Sequence, residues 1–155
     1  MSGTSALRAA VAAGDLAEVE RILAGDPGSV RTLIALTYQP DPAVRDVAAS
    51  GLAVAARHYP RLVEEAVRRL IWAMNDESGT NAVHAPAVIA RLAETEPKLL
   101  VPVLSDLLRL TADPGLRDEL VTAVRRVAAQ FPGEAAGTLR RGLGQCLEEG
   151  RGHDL

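Results

Sequence analysis

Proline recurs in this chain at an interval that few folds can use. Tyr59-Pro60, Glu96-Pro97 and Phe131-Pro132 put prolines at 60, 97 and 132, steps of 37 and 35 residues. Between them, Asp41-Pro42 and Asp113-Pro114 stand 72 residues apart, two such periods. Asp followed by Pro opens helices: the carboxylate accepts from free N–H groups of the first turn, where proline has no hydrogen bond to lose. A period near 36 that holds two helices predicts a helical solenoid, in which stacked helix pairs share one core.

Alignment on the prolines tests that prediction. With Pro42–Pro60 set beside Pro114–Pro132, Val44 meets Leu116, Arg45 meets Arg117, Asp46 meets Asp118, Ala48 meets Leu120, Leu52 meets Val124 and Ala55 meets Val127. The apolar positions recur at steps of three and four, one buried helix face. The alternate helices align too: Val63 with Leu100, Val67 with Leu104 and Leu139, Leu70 with Leu107, and Ile71 with Leu108 and Leu143.

The opening Asp-Pro-x-(Val/Leu)-Arg, present as Asp41-Pro42-Ala43-Val44-Arg45 and Asp113-Pro114-Gly115-Leu116-Arg117, resembles that of HEAT repeats. The resemblance covers residues 27–147. It implies an all-α chain, a short right-handed α-solenoid of HEAT-type pairs at 27–58, 60–95 and 97–130, closed by a helix at 133–147. The helices within the pairs are expected at 27–38 and 42–58, 60–75 and 81–95, 97–111 and 114–130. In such repeats the arginine and aspartate tie neighbouring repeats together, so Arg45 and Arg117 are expected to be structural. Residues 4–25 read as two short helices, with Asp15 as N-cap and Glu18 three residues on completing a capping box; they are expected to cover the open end of the stack. The whole, 1–155, reads as one domain.

The middle pair breaks the rule. In register, Gly79 stands where Pro42 does, and Asn81, Ala82 and Val83 replace valine, arginine and aspartate. A polar run, Asn75-Asp76-Glu77-Ser78-Gly79-Thr80, takes the place of the opening, and Pro86 falls where a helix begun at 81 would be under way. Proline there would cost about 3 kcal/mol. The spacing therefore predicts a later start near Ala85, with His84 or Val83 as the last extended residue and a turn at 75–83. Departures of a repeat from its own pattern are where function or strain is expected.

Arg68-Arg69-Leu70-x-Trp72-x-x-Asn75-Asp76-Glu77-Ser78-Gly79, followed by Ala85-Pro86, resembles a string in small HEAT-repeat proteins of anaerobic and sulfur-metabolising prokaryotes, a group that implies a fold and no established activity. That group carries glycines and a tryptophan where this chain has Asn81-Ala82-Val83-His84. The resemblance implies, at most, an accessory role toward a redox metalloenzyme.

Within this segment Trp72 is either core beneath the turn or an interface anchor. Its register partners, Arg109 and Gly144, are unlike core, which puts it at the rim of the helix face. Asp76, Glu77 and His84 include metal-ligating types, but the spacing is loose and no further ligand accompanies them; backbone capping by Asp76 and Ser78 is the simpler reading. An Asp–His pair could move a proton, yet no nucleophile or oxyanion donors stand with it. Arg68-Arg69 and Arg140-Arg141 share a register with Ser105-Asp106 between them, predicting a ladder Arg69–Asp106–Arg141 rather than a basic stripe. Arg125-Arg126 reads as a solvated face, Cys146 as a packed thiol, and His58 and His153 as residues without company.

Composition closes off other classes. Net charge is −3 and aromatics are 3%, too little basic or stacking surface for a nucleic-acid groove. One cysteine, Cys146, leaves no internal disulfide or multi-cysteine zinc site. No apolar run reaches membrane-spanning length, and the start lacks a basic region followed by an apolar one, so the expected location is the cytoplasm. The function expected is a non-enzymatic adaptor for another protein, without cofactor, docking through Trp72, Asn75, Asp76, Glu77, Ser78 and His84. The alternative is an enzyme or ligand-binding protein on a HEAT-like scaffold, of the bilin-lyase kind.

Overall fold

The computed structural model describes residues 3–75 and 84–138, and among them every regular element is helical. The elements are α1 (Gly3–Ala12), α2 (Leu16–Gly25), α3 (Ser29–Leu36), α4 (Pro42–His58), α5 (Pro60–Asn75), α6 (Ala85–Thr95), a 3-10 stretch (Pro97–Val103), α7 (Leu104–Leu110) and α8 (Arg117–Gln130). Residues 132–138 are helical as well.

The N-terminal pair is built by its punctuation. Gly14 turns the chain at φ +70, a left-handed conformation that costs glycine nothing. Its N–H bonds to Val11 O at 3.0 Å and that of Asp15 to Ala10 O at 2.9 Å, closing α1 in a Schellman arrangement. Asp15 then caps α2 by accepting from Glu18 N–H at 3.1 Å. The other half of the expected capping box does not form, because the Glu18 carboxylate is taken by Arg21 one turn along the same helix. Asp41 caps α4 as its sequence predicts, accepting from Ala43 N–H at 3.0 Å with Pro42 in the first turn.

Packing sorts the helices into two sets. α2, α4, α6 and α8 pack on one another in sequence, and α1, α3, α5 and α7 do likewise. Each odd helix also packs on the even helix that follows it. α4 sits between α2 and α6 and is buried over most of its circumference, including Ala48, Ala49, Ser50, Gly51, Leu52, Ala53 and Ala55. Its middle turns, made of small and apolar residues on nearly every side, belong inside, while its charged ends stay at the surface. Gly51 permits a close approach: a Cβ there would stand 3.1 Å from a Leu33 methyl and 3.3 Å from one of Val19. The aligned positions are buried together, Ala48 with Leu120, Leu52 with Val124, Ala55 with Val127, Val63 with Leu100, Val67 with Leu104 and Leu70 with Leu107.

Three expectations are corrected. The helix expected at 97–111 divides, running as 3-10 turns to Val103 before it becomes α-helical; Pro102 has no N–H for the i−4 carbonyl. The helix expected at 114–130 begins at Arg117. Asp113 accepts from Gly115 N–H at 2.9 Å in a local turn, and glycine, where Ala43 stands in the aligned pair, disfavours early helix formation. α6 does begin at Ala85; of the two residues expected to be the last extended one, His84 has φ −99 and ψ −12 and is not extended, and Val83 lies outside the described residues; the residue that proline restricts is Ala85, not His84. The closing helix is described only as far as 138.

Candidate functional site

Trp72 projects from the last turns of α5 with 70% of its surface exposed, which decides between the two readings of this residue: it is not core. α5 makes this possible because its buried residues, Val63, Ala66, Val67, Leu70, Ile71 and Met74, hold one face to the core. Trp72 belongs instead to an outer stripe with Leu62, Glu65 and Arg69, at helical steps of three and four. Leu62 is itself 41% exposed.

Between the outer sides of α3 and α5 this stripe borders an open groove of about 410 Å³. Val30, Ile34, Leu62 and Ala66 supply its apolar lining, and Arg31, Arg69 and Glu65 its charge. Arg69 is held by Glu65 at 3.1 Å on its own helix. Arg31, Arg61 and Arg68 are exposed and have no ion pair among the described residues.

The other candidates part company. Asn75 donates its side-chain amide to Ile71 O at 3.1 Å, capping the end of α5. His84, immediately before α6, receives Arg45: the guanidinium Nη1 is hydrogen-bonded to His84 Nδ1. Arginine has no acceptor, so in this bond the guanidinium donates and the imidazole nitrogen accepts. The Arg45 Nε is buried and has no hydrogen-bond partner among the described residues. Arg45 thus links α4 to the start of α6, between neighbouring pairs. Arg117 does something else. Its Nε donates to Thr111 O at 2.9 Å and its Nη2 to Ala112 O at 3.3 Å, tying α8 to the end of α7 within one pair. Asp76, Glu77 and Ser78 lie outside the described residues, as do Arg140, Arg141, Cys146 and His153.

The ladder expected from Arg69 through Asp106 is replaced by local pairs, Arg69 with Glu65 and Asp106 with Arg109, each 3.1 Å. Partners one turn away on the same helix are nearer than those on a neighbouring one. A different ladder runs along the even helices. Arg91 of α6 donates to Ser50 Oγ of α4 at 3.3 Å and to Glu94 at 3.0 Å, and Glu94 receives Arg126 of α8. Arg126 is therefore an ion-pairing residue and not merely solvated. The bond from Arg126 lowers the Glu94 carboxyl below its ordinary range; desolvation opposes it, and the charge of Arg126 and the bond and charge of Arg91 add to the lowering. The sequence held a signal for this, since Arg91 and Arg126 occupy the same register position twelve residues after Gly79 and Pro114. His58 likewise has company, Glu20 of α2 at 3.8 Å.

Among the described residues no group of three or more His, Cys, Asp or Glu is placed to hold a metal ion, and no helix is long and apolar enough to cross a membrane. No protein-family model matches this chain. Neither a curated protein nor a solved structure matches it.

Proposed function

We propose that this chain is a non-catalytic adaptor, a short right-handed HEAT-type solenoid that binds another protein through the outer face of its central pair. The observation that carries the reading is Trp72. Burying a tryptophan removes a large apolar area from water, and here that gain is left to a partner. Exposed tryptophans beside arginine are frequent interface anchors. The solenoid part of the proposal rests on the ordered packing of even on even and odd on odd helices, with burial repeating in the aligned registers.

The test is affinity capture from the native source, wild type against Trp72→Ala/Asp76→Ala/Glu77→Ala, with mass spectrometry of what co-elutes. A protein held by wild type and lost by the variant is the expected result. A partner retained by the variant, or none with wild type, would overturn the docking reading. Thermal melts of both chains check that the variant is folded.

A further inference from the structure

We propose that the groove between α3 and α5 takes an acidic amphipathic α-helix, laid along the outer stripe of α5 from Leu62 toward Trp72. This rests on the adaptor reading and specifies the partner's chemistry.

Three observations lead there. The first is the groove's apolar lining, Val30, Ile34, Leu62 and Ala66, with an exposed tryptophan outside that lining but further along α5. Leu62 and Trp72 are ten residues apart on one helix, about 15 Å at 1.5 Å per residue, a length that about three turns of partner helix would cover. The second concerns backbone. Both walls are helices, whose mid-helix N–H and C=O groups are bonded internally, so the groove has no strand edge to pair with an extended peptide. A segment buried against apolar walls must satisfy its own backbone, and a helix does so.

The third is charge. Although the chain as a whole is −3, this face carries Arg31, Arg61, Arg68 and Arg69 against Glu64 and Glu65, all exposed. Glu65 is already committed to Arg69. Arg31 sits in the groove wall with no ion partner among the described residues, and Arg61 and Arg68 flank the stripe in the same condition. A helix with leucine-like anchors and flanking carboxylates would fill the groove and give these guanidinium groups partners; a basic helix would be repelled.

The experiment is a selection on the folded, full-length chain from a displayed library of helical peptides randomised on one face. Binding of the selected peptides is then measured by anisotropy and by emission of Trp72, the only tryptophan. The inference expects selected peptides that are net acidic and helical when bound, shift Trp72 emission to the blue, and lose about tenfold or more in affinity to Leu62→Asp and to Arg31→Glu. Arg125→Glu, at an exposed site on α8, should leave their affinity unchanged. Basic or extended consensus peptides, no selected peptides, or binding indifferent to both groove variants would overturn it. The partner from the native source separates the two readings. If capture is lost with the Trp72 triple variant yet survives Leu62→Asp and Arg31→Glu, the groove inference fails and the adaptor reading stands; if it survives all of them, both fail.

Discussion

Tyr59 joins two helix pairs through one atom. Its hydroxyl donates to Leu23 O at 2.7 Å and reaches Ala24 O at 3.4 Å, carbonyls of the last turn of α2, of which Leu23 O also accepts from Asp26 N–H at 3.2 Å. Tyr59→Phe deletes the donor and little else. It should lower stability by about 1 kcal/mol, read in urea as a lower midpoint at unchanged slope; an unmoved midpoint would mean that water replaces the hydroxyl without loss. The aligned Phe131 has no such bond to give, so the two positions share shape and not chemistry. Two aspartates make a similar contrast. Asp41 caps a helix whereas Asp113 shapes a turn ahead of one, so Asp41→Ala should cost about 1 kcal/mol and Asp113→Ala measurably less in paired thermal melts. Equal losses would show that Asp113 acts as a cap after all. At this scale the sequence is a partial guide. The rim position of Trp72 was readable because its register partners are unlike core, whereas the Arg45–His84 bond joins residues 39 apart and leaves no local mark.

The ladder along α4, α6 and α8 has a pH signature of its own. Glu94 is drawn below the ordinary carboxylate range chiefly by Arg126, so the folded state binds its proton less readily than the unfolded chain does. Stability from this source is present above the unfolded glutamate range and is lost as pH falls through the lowered folded value. The site is largely open to water, which limits the effect to less than about 1 kcal/mol. Glu94→Gln should therefore flatten the acid limb of a stability–pH curve slightly and leave high-salt melts almost unchanged; an equally steep acid limb in the variant would assign that limb to other carboxylates. Elements were legible where burial is periodic, as in α5 and the body of α8. They were misread where one residue overrides the pattern: Pro102 turns half of an expected helix into 3-10 geometry, and Gly115 delays another. The α3–α5 groove was not legible at all. Its width depends on how closely two helix faces approach, and a one-dimensional period carries no lateral distances.

Across the whole molecule, stability should be graded along the chain. Among the described elements α4 packs on α1, α2, α3, α5 and α6, α8 on α6, α7 and the 3-10 stretch, and α1 on α2, α3 and α4. When units hold only to their neighbours, the ends have fewer interfaces to lose than the middle, and they open without the rest. Native-state hydrogen exchange in low urea reads this directly. Amides in the centres of α4 and α6, around Leu52 and Ile89, should exchange only with global unfolding and show its full denaturant slope. Those of α1, and of the helical residues 132–138, should exchange through smaller openings with shallower slopes. Leu7→Ala, at a fully buried site in α1, removes a core side chain worth about 2–5 kcal/mol; it should raise exchange in α1 and α2 far more than in α8. A single opening free energy from α1 to α8, shifted uniformly by Leu7→Ala, would describe a globally cooperative bundle instead. The proposed solenoid requires the gradient, because in a linear stack the loss of one end leaves the distant interfaces intact.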